Sequence, residues 1–102
     1  MNKNLKEVIH RTAEDFYESG VMTEQTMREF DVLCLPAVKK YTSQQIKRLR
    51  RRNKASQSVF AAYLNTSPST VQKWEQGQKK TSRLALKLLN LVDRHGLALL
   101  AA

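Results

Sequence analysis

Two short helical patterns joined by a tight polar turn restrict most strongly what this chain of 102 residues can fold into. Apolar residues recur at helical spacing in residues 57–64 and again, after Asn-Thr-Ser, in residues 68–76. Asn65 tolerates the positive φ that such a turn needs, and Ser67 followed by Pro68 is typical of a helix start. The pattern therefore predicts two short helices that cross each other at a sharp turn.

Helical patterns also account for the rest of the chain, so the predicted fold class is all-α. The sequence contains only three Gly and two Pro, and no alternating run is long enough to force a strand. Further helices are predicted at residues 4–19, from Thr23 to just before Pro36, at 43–53 behind a Thr42/Gln45 capping box, and at 83–95 between Ser82 and Gly96.

The charge of the chain is strongly uneven. Residues 1–34 hold 4 basic and 7 acidic residues, hence a net −3, whereas residues 35–102 hold 14 basic and 2 acidic residues, hence +12. We predict an acidic helical arm at 1–34, a linker at 35–41 and a basic domain at 42–102. Such a positive excess indicates a polyanionic partner, most simply nucleic acid, and the alternative is a surface charged for solubility.

Two crossed helices of this kind form a helix-turn-helix, and its second helix would present a short polar face. If Leu64, Val71 and Trp74 point inward and lock the crossing, the residues that point outward are Pro68, Ser69, Thr70, Gln72 and Lys73. Short hydrogen-bonding side chains near a helix start suit a major groove about 12 Å wide. Alternatively, Ser69 and Thr70 serve only to start the helix.

Residues 42–96 resemble the Xre/Cro/C1-type helix-turn-helix of phage repressors and bacterial regulators. The residues that carry the resemblance are Gln57, Phe60, Ala61, Leu64, Asn65, Ser67, Val71, Trp74, Glu75 and Gly77. The chain departs from the family at Asn65, where Gly is common, and at Pro68, where a base-reading polar side chain is common. The resemblance implies a five-helix-type, lambda-repressor-like DNA-binding domain, preceded here by an N-terminal helical arm.

The resemblance also implies roles for individual residues. Arg50 and Glu75 match an ion pair that braces the first helix of the domain against the third, and Gln57 matches a residue that meets a phosphate. The residues expected at double-stranded DNA are Gln57, Ser67, Pro68, Ser69, Thr70, Gln72 and Lys73, with Lys47, Arg51, Arg52, Lys54, Lys79 and Lys80 at phosphates. The run of arginines at 48–52 is alternatively a solvated face.

The family usually dimerises through the helices that follow the motif, which implies a homodimer on a palindromic operator. The residues expected at the dimer interface are Leu88, Leu91, Val92, Leu97 and Leu100.

The acidic arm carries an amphipathic pattern of its own. Its apolar residues, which we assign to a binding face for a basic partner, are Leu5, Val8, Ile9, Phe16 and Tyr17. The order of arm, linker, helix-turn-helix and apolar tail resembles HigA-like antitoxins. That resemblance implies a small basic mRNA-cleaving ribonuclease toxin as a partner and repression of the protein's own operon. The alternative is a stand-alone regulator whose arm packs on the domain or extends the dimer.

Enzymatic classes find little support in the sequence. It has no HExxH pair, no nucleophile elbow and no phosphate-cradling Gly loop. The basic part holds only the carboxylates of Glu75 and Asp93, and His10 and His95 are far apart. We therefore expect no catalytic residue, no cofactor and no metal.

Two further observations limit the partners and the compartment. Cys34 is the only cysteine, so no internal disulfide is possible, and no apolar run approaches the ~18 residues of a membrane span. We see no secretory signal at the start and expect a cytoplasmic protein. A non-specific RNA binder would need exposed stacking aromatics, whereas Phe60 and Trp74 are predicted to point inward.

Overall fold

The computed structural model describes residues 3–101, and every regular element in that range is helical, as predicted. The helices are α1 (Lys3–Glu18), α2 (Glu24–Leu33), α3 (Ser43–Arg52), α4 (Gln57–Tyr63), α5 (Pro68–Glu75) and α6 (Arg83–His95), followed by a 3₁₀ helix (Leu97–Ala101). Met1, Asn2 and Ala102, the outermost residues of the predicted arm and domain, lie outside the described residues. No helix in the described range is long and apolar enough to cross a bilayer.

Side-chain caps set the starts of α2 to α6. Each cap hydroxyl accepts a hydrogen bond from the backbone N–H three residues further on, and the caps are Thr23, Thr42, Ser56, Ser67 and Ser82. Both halves of the predicted capping box of Thr42 and Gln45 are present. Caps of this kind contribute about 1 kcal/mol each. Because only a few residue types are preferred at the cap position, the helix starts could be predicted from the sequence.

The chain divides into two compact units, Met1–Ala37 and Val38–Ala102, and the division falls within the predicted linker. In the second unit, the Asn90 side chain accepts from the Lys39 N–H and donates to the Lys39 carbonyl, both at 2.8 Å. The Tyr41 hydroxyl donates to Asp93 at 2.7 Å. Residues 38–41 therefore belong to the second unit, although the linker was predicted to extend to residue 41.

The second unit has one hydrophobic core, to which each of its helices contributes. Its largest fully buried side chains are Phe60, Val71, Leu89 and Val92. On α6 the buried face lies along Leu89 and Val92, whereas Leu84, near the start of the helix, is 73% exposed. The apolar pattern of α6 is wider than one buried face, so packing decides which edge is covered.

The first unit is a pair of packed helices, α1 and α2. Ala13 of α1 and Met27 of α2 are its buried apolar residues. A histidine spans the pair, since the His10 ring lies 2.7 Å from the Asp31 carboxylate on α2 and 3.1 Å from Glu14 on its own helix.

Candidate nucleic-acid interface

The turn between α4 and α5 has the predicted left-handed geometry. Asn65 adopts a φ of 55°, which a short polar side chain tolerates and a β-branched one does not. The Thr66 N–H donates to the Ala61 carbonyl at 2.9 Å and closes the end of α4. This turn sets the direction in which α5 leaves α4.

The crossing of α4 and α5 is locked by apolar side chains. Ala61 and Val71 are fully buried, and Leu64 and Trp74 are almost so. Ala61 is small enough for α5 to pass close above it. Because Val71 and Trp74 define the inward side of α5, the opposite side of that helix faces outward.

The outward side of α5 is polar and exposed. Pro68, Ser69, Gln72 and Lys73 are exposed, as the sequence pattern predicted. Gln76, which caps the helix C-terminus, is also exposed and lies seven residues after Ser69, on the same side of the helix. Gln76 was not among the residues predicted at DNA, although its spacing from Ser69 was visible in the sequence.

Three hydroxyls bond to one another at the start of α5. The Ser67 hydroxyl lies 2.8 Å from that of Thr70 and 3.1 Å from that of Ser69, and it accepts from the Thr70 N–H at 3.2 Å. Ser67 and Thr70 are thereby engaged in starting the helix. No bond to another described side chain engages Gln72 or Lys73, and both side chains are exposed on the outer side of α5.

A bidentate ion pair braces α3 against α5. The Arg50 guanidinium donates to both oxygens of Glu75 at 2.8 Å, and the two side chains are 12% and 3% exposed. Burial opposes ionisation of Glu75, but the hydrogen bond and charge of Arg50 hold the pKa of that carboxyl below its ordinary value. The bond to Glu75 raises the pKa of Arg50. Both groups therefore stay charged, and α5 is held firmly in position.

Gln57 lies beside this brace. Its side-chain amide donates to Glu75 at 3.4 Å, a long contact that orients the amide at the start of α4. The phosphate contact expected of Gln57 stays a prediction. A phosphate would accept from the side-chain NH2, whose second N–H is not bonded to another described residue.

The six cations expected at phosphates are not equivalent. Arg51, Lys54, Lys79 and Lys80 are exposed, and Lys47 is half-buried near Glu75. No acidic side chain in the described range pairs with these five cations, and they remain candidates for phosphate contact. Lys54 adopts a φ of 55° in the turn between α3 and α4, so the backbone holds it outside either helix.

Arg52 differs from the other five because its guanidinium pairs with Asp93 of α6. Asp93 also accepts from the Tyr41 hydroxyl, and the bonds from Tyr41 and Arg52 hold the pKa of Asp93 below its usual range. Burial and the bond to Asp93 raise the pKa of Tyr41 to about 12. Arg52 therefore has a structural bond that competes with the phosphate contact expected of it.

The candidate dimer residues separate into two groups. Val92 and Leu97 are 1% and 8% exposed and lie in the core of their own unit, which leaves little of either side chain at the surface for an interface. Leu88, Leu91 and Leu100 are half-buried. The most exposed apolar residue of this region, Leu84, was not among the predicted interface residues.

The predicted partner face of the arm is largely uncovered in the first unit. Leu5, Val8, Phe16 and Tyr17 are between 41% and 58% exposed, and Ile9 is half-buried. Helix α2 covers the side of α1 that carries Ala13, and it leaves this apolar edge accessible. Within residues 3–101 no group of three or more His, Cys, Asp or Glu side chains is arranged to hold a metal ion.

Comparison with known proteins agrees with this geometry. A helix-turn-helix family model matches residues 46–95, which include α4, the turn and α5. A stretch of 47 residues is 43% identical to antitoxin HigA-2 of Vibrio cholerae serotype O1 (strain ATCC 39315 / El Tor Inaba N16961). That stretch covers 46% of this chain and 45% of the relative, so the chain matches less than half of the relative's length.

Proposed function

Residues 46–95 form an Xre-type helix-turn-helix domain, and from this premise we propose that the protein is a sequence-specific transcriptional repressor. It binds double-stranded DNA as a homodimer with α5 in the major groove, and two-fold symmetry makes its operator palindromic. The role is one of binding rather than catalysis.

The observation that carries this proposal is the two-sided character of α5. Its inner side is fixed by buried Val71 and Trp74 and by the bond between Arg50 and Glu75. Its outer side presents Gln72 and Lys73 without a bond to another described side chain. A short helix that is held in position and carries polar groups on its outer side is the arrangement that reads base edges, because the helix brings its donors and acceptors to defined base pairs.

The proposal is tested by substituting the outer side of α5 and measuring binding to the protein's own promoter fragment and to unrelated DNA. Ser69→Ala with Lys73→Ala should weaken binding to the promoter by about 1–3 kcal/mol for each base pair that α5 no longer reads, and weaken binding to unrelated DNA much less. Arg11→Ala serves as a charge-matched control, since exposed Arg11 lies on α1, outside the helix-turn-helix unit. Equal weakening on both kinds of DNA would contradict the assignment of α5 as the reading helix.

We propose further that the protein is the antitoxin of a type II toxin–antitoxin pair and represses its own operon. Two observations support this second role: the 43% identity to antitoxin HigA-2 over 47 residues, and the exposed apolar edge of α1 in an acidic segment. Apolar side chains such as Val8 and Phe16 would enter a groove of a small basic ribonuclease, with the carboxylates of the arm facing its cations.

Co-expression with the product of an adjacent reading frame tests the antitoxin role. The full chain should co-purify with a small basic protein and suppress its ribonuclease activity, and Val8→Glu with Phe16→Glu should lose both effects but retain DNA binding. Gln25→Glu, which places a negative charge on an exposed polar residue of α2, away from this face of α1, should retain the partner. If DNA is bound and the neighbouring product is neither bound nor inhibited, the protein is a stand-alone regulator.

A further inference from the structure

Polar bonds hold the two helices of the first unit together, and one of them marks a side of the pair. The His10 ring on α1 lies 2.7 Å from the Asp31 carboxylate on α2. At the end of α2, the Cys34 thiol donates to the Lys6 carbonyl at 3.3 Å, and the Lys6 amine donates to the Leu35 carbonyl at 3.1 Å. These bonds fix which sides of α1 and α2 face each other, and hence where their other sides lie.

On α1, helical spacing separates an apolar side from the side of the histidine. Ala13 is buried against α2. Ile9 lies four residues before Ala13 and Phe16 three residues after it, so both lie on one side of the buried position. His10 lies three residues before Ala13 and therefore on the other side. The apolar side of α1 thus points away from the bond to Asp31.

The same separation occurs on α2. Met27 is buried, Asp31 follows it by four residues on one side, and Phe30 and Leu33 follow it by three and six residues on the other. Because His10 and Asp31 meet on one side of the pair, the apolar sides of the two helices adjoin each other on the opposite side. We call this two-helix surface the hairpin face, and its members are Ile9, Phe16, Phe30 and Leu33.

The hairpin face is large in comparison with the core beneath it. Phe16 and Leu33 are 47% and 57% exposed, and Ile9 and Phe30 are half-buried. In the described part of the first unit, each of the two helices contributes a single buried apolar residue. Large apolar side chains that are grouped on one side and left uncovered mark a surface that binds another protein.

The charge at the margins of the hairpin face indicates what kind of protein covers it. Asp15 and Glu29, the residues just before Phe16 and Phe30, are exposed and form no ion pair with another described side chain. The first unit as a whole, residues 1–37, holds 4 basic and 7 acidic residues, a net −3. Two copies joined at this face would bring the same negative charges together about a two-fold axis, whereas a basic partner would pair with them.

We propose that the hairpin face docks as one surface on a basic protein, with Phe30 and Leu33 of α2 in contact with the partner beside the apolar side of α1. The inference rests on the proposed antitoxin function, whose basic ribonuclease is this partner, and it adds α2 to the contact. A single helix in a groove would use α1 alone. The hairpin face instead presents two helices that are already bonded to each other, so less ordering is needed when the partner binds.

Binding of the full chain to the purified product of the adjacent reading frame tests the contact assigned to α2. Leu33→Glu should weaken binding at least about tenfold, because it places a charge in an apolar contact. Val32→Glu is the matched control and should bind as the wild type does, since Val32 is 65% exposed and points about 100° away from Leu33 around the helix.

A second substitution covers the case in which Leu33→Glu loses helix content by circular dichroism. Leu33→Ala keeps the helix, because alanine has the highest helix propensity, and it removes the apolar contact without adding a charge. It should weaken binding several-fold. Wild-type binding by Leu33→Ala would overturn the contact in that case.

Three results separate the possibilities. Wild-type binding by Leu33→Glu, beside loss of binding in Val8→Glu with Phe16→Glu, assigns the contact to α1 alone; it overturns the hairpin face and leaves the antitoxin proposal standing. A full chain whose assembly state in sedimentation falls on Leu33→Glu, with partner binding unchanged, assigns the face to a second copy and also overturns the proposal. Absence of binding between the wild-type chain and the neighbouring product removes both proposals.

Discussion

Replacing Arg50 by Met would leave the Glu75 carboxylate in the protein interior without its ionic partner. Glu75 is 3% exposed, and the only other side-chain donor to it within the described residues is the Gln57 amide at 3.4 Å. Breaking a buried pair by removing one partner costs about 3–5 kcal/mol, because the remaining charge is desolvated and uncompensated. The free energy of unfolding of a domain of this size is about 5–15 kcal/mol in total, so this cost is a large fraction of its stability.

The effect can be measured by urea unfolding, with Trp74, the single tryptophan, as the fluorescent probe. Arg51→Met is the matched control, since exposed Arg51 is the next residue on the same helix and should change stability by less than about 0.5 kcal/mol. Arg50→Met combined with Glu75→Leu should be more stable than Arg50→Met alone, because the buried charge is removed as well.

Acid unfolding gives an independent readout of the same brace. The pKa of Glu75 is lowered in the folded state despite burial, chiefly by its bond to Arg50. Its stabilisation is therefore present above the ordinary carboxyl pKa and is lost as pH falls through the folded value. The Arg50→Met variant should lack this acid-dependent loss. A variant as stable as Arg51→Met, with the wild-type acid dependence, would refute the reasoning.

Three further perturbations probe other contacts. Arg51→Ala should lower the slope of the logarithm of the DNA-binding constant against the logarithm of salt concentration by about one unit. Arg52→Ala should change that slope less and lower the urea midpoint of unfolding, because Arg52 is bonded to Asp93. Equal slopes in the two variants would contradict this. Burial and the bond to Asp93 raise the pKa of Tyr41 to about 12. The wild type should therefore lose stability as pH rises from about 10 to about 12. Urea titrations across this range should show no such loss in Tyr41→Phe. Gly77→Ala should destabilise by at least about 1 kcal/mol, because Gly77 has a φ of 73° and a Cβ would crowd Ser43; an unchanged thermal midpoint would show that the turn relaxes freely.

The helices and their starts were predictable because their causes are local. A serine or threonine cap satisfies backbone N–H groups within three residues, and Asn65 accommodates its own positive φ. The inward side of α5 was also predictable. Val71 and Trp74 are three residues apart and lie on the same side of the helix, so only that side can face the core if both are buried. The brace of Arg50 and Glu75 required the family resemblance, since the two residues are 25 positions apart.

The choice between the edges of a wide apolar pattern was not predictable. In α1 and α6 alike, the sequence marks more apolar positions than one neighbour covers, and Leu84 and Val8 are exposed. Which edge is buried depends on helices that are distant in sequence, and a single-helix pattern contains no information about them. For the same reason Val92 was placed in an interface although it belongs to the core.

The sequence by itself determined the all-helical fold, the caps, the turn and the concentration of positive charge after residue 34, because each follows from residue type and short-range spacing. Only the tertiary structure decided which cations are engaged and which are not. Asp93 pairs with Arg52 across 41 positions and Asn90 holds Lys39 across 51, and contacts at such separation exist only after the chain has folded. The physical reason is that an ion pair or a backbone clamp depends on distances of about 3 Å, which no local pattern specifies.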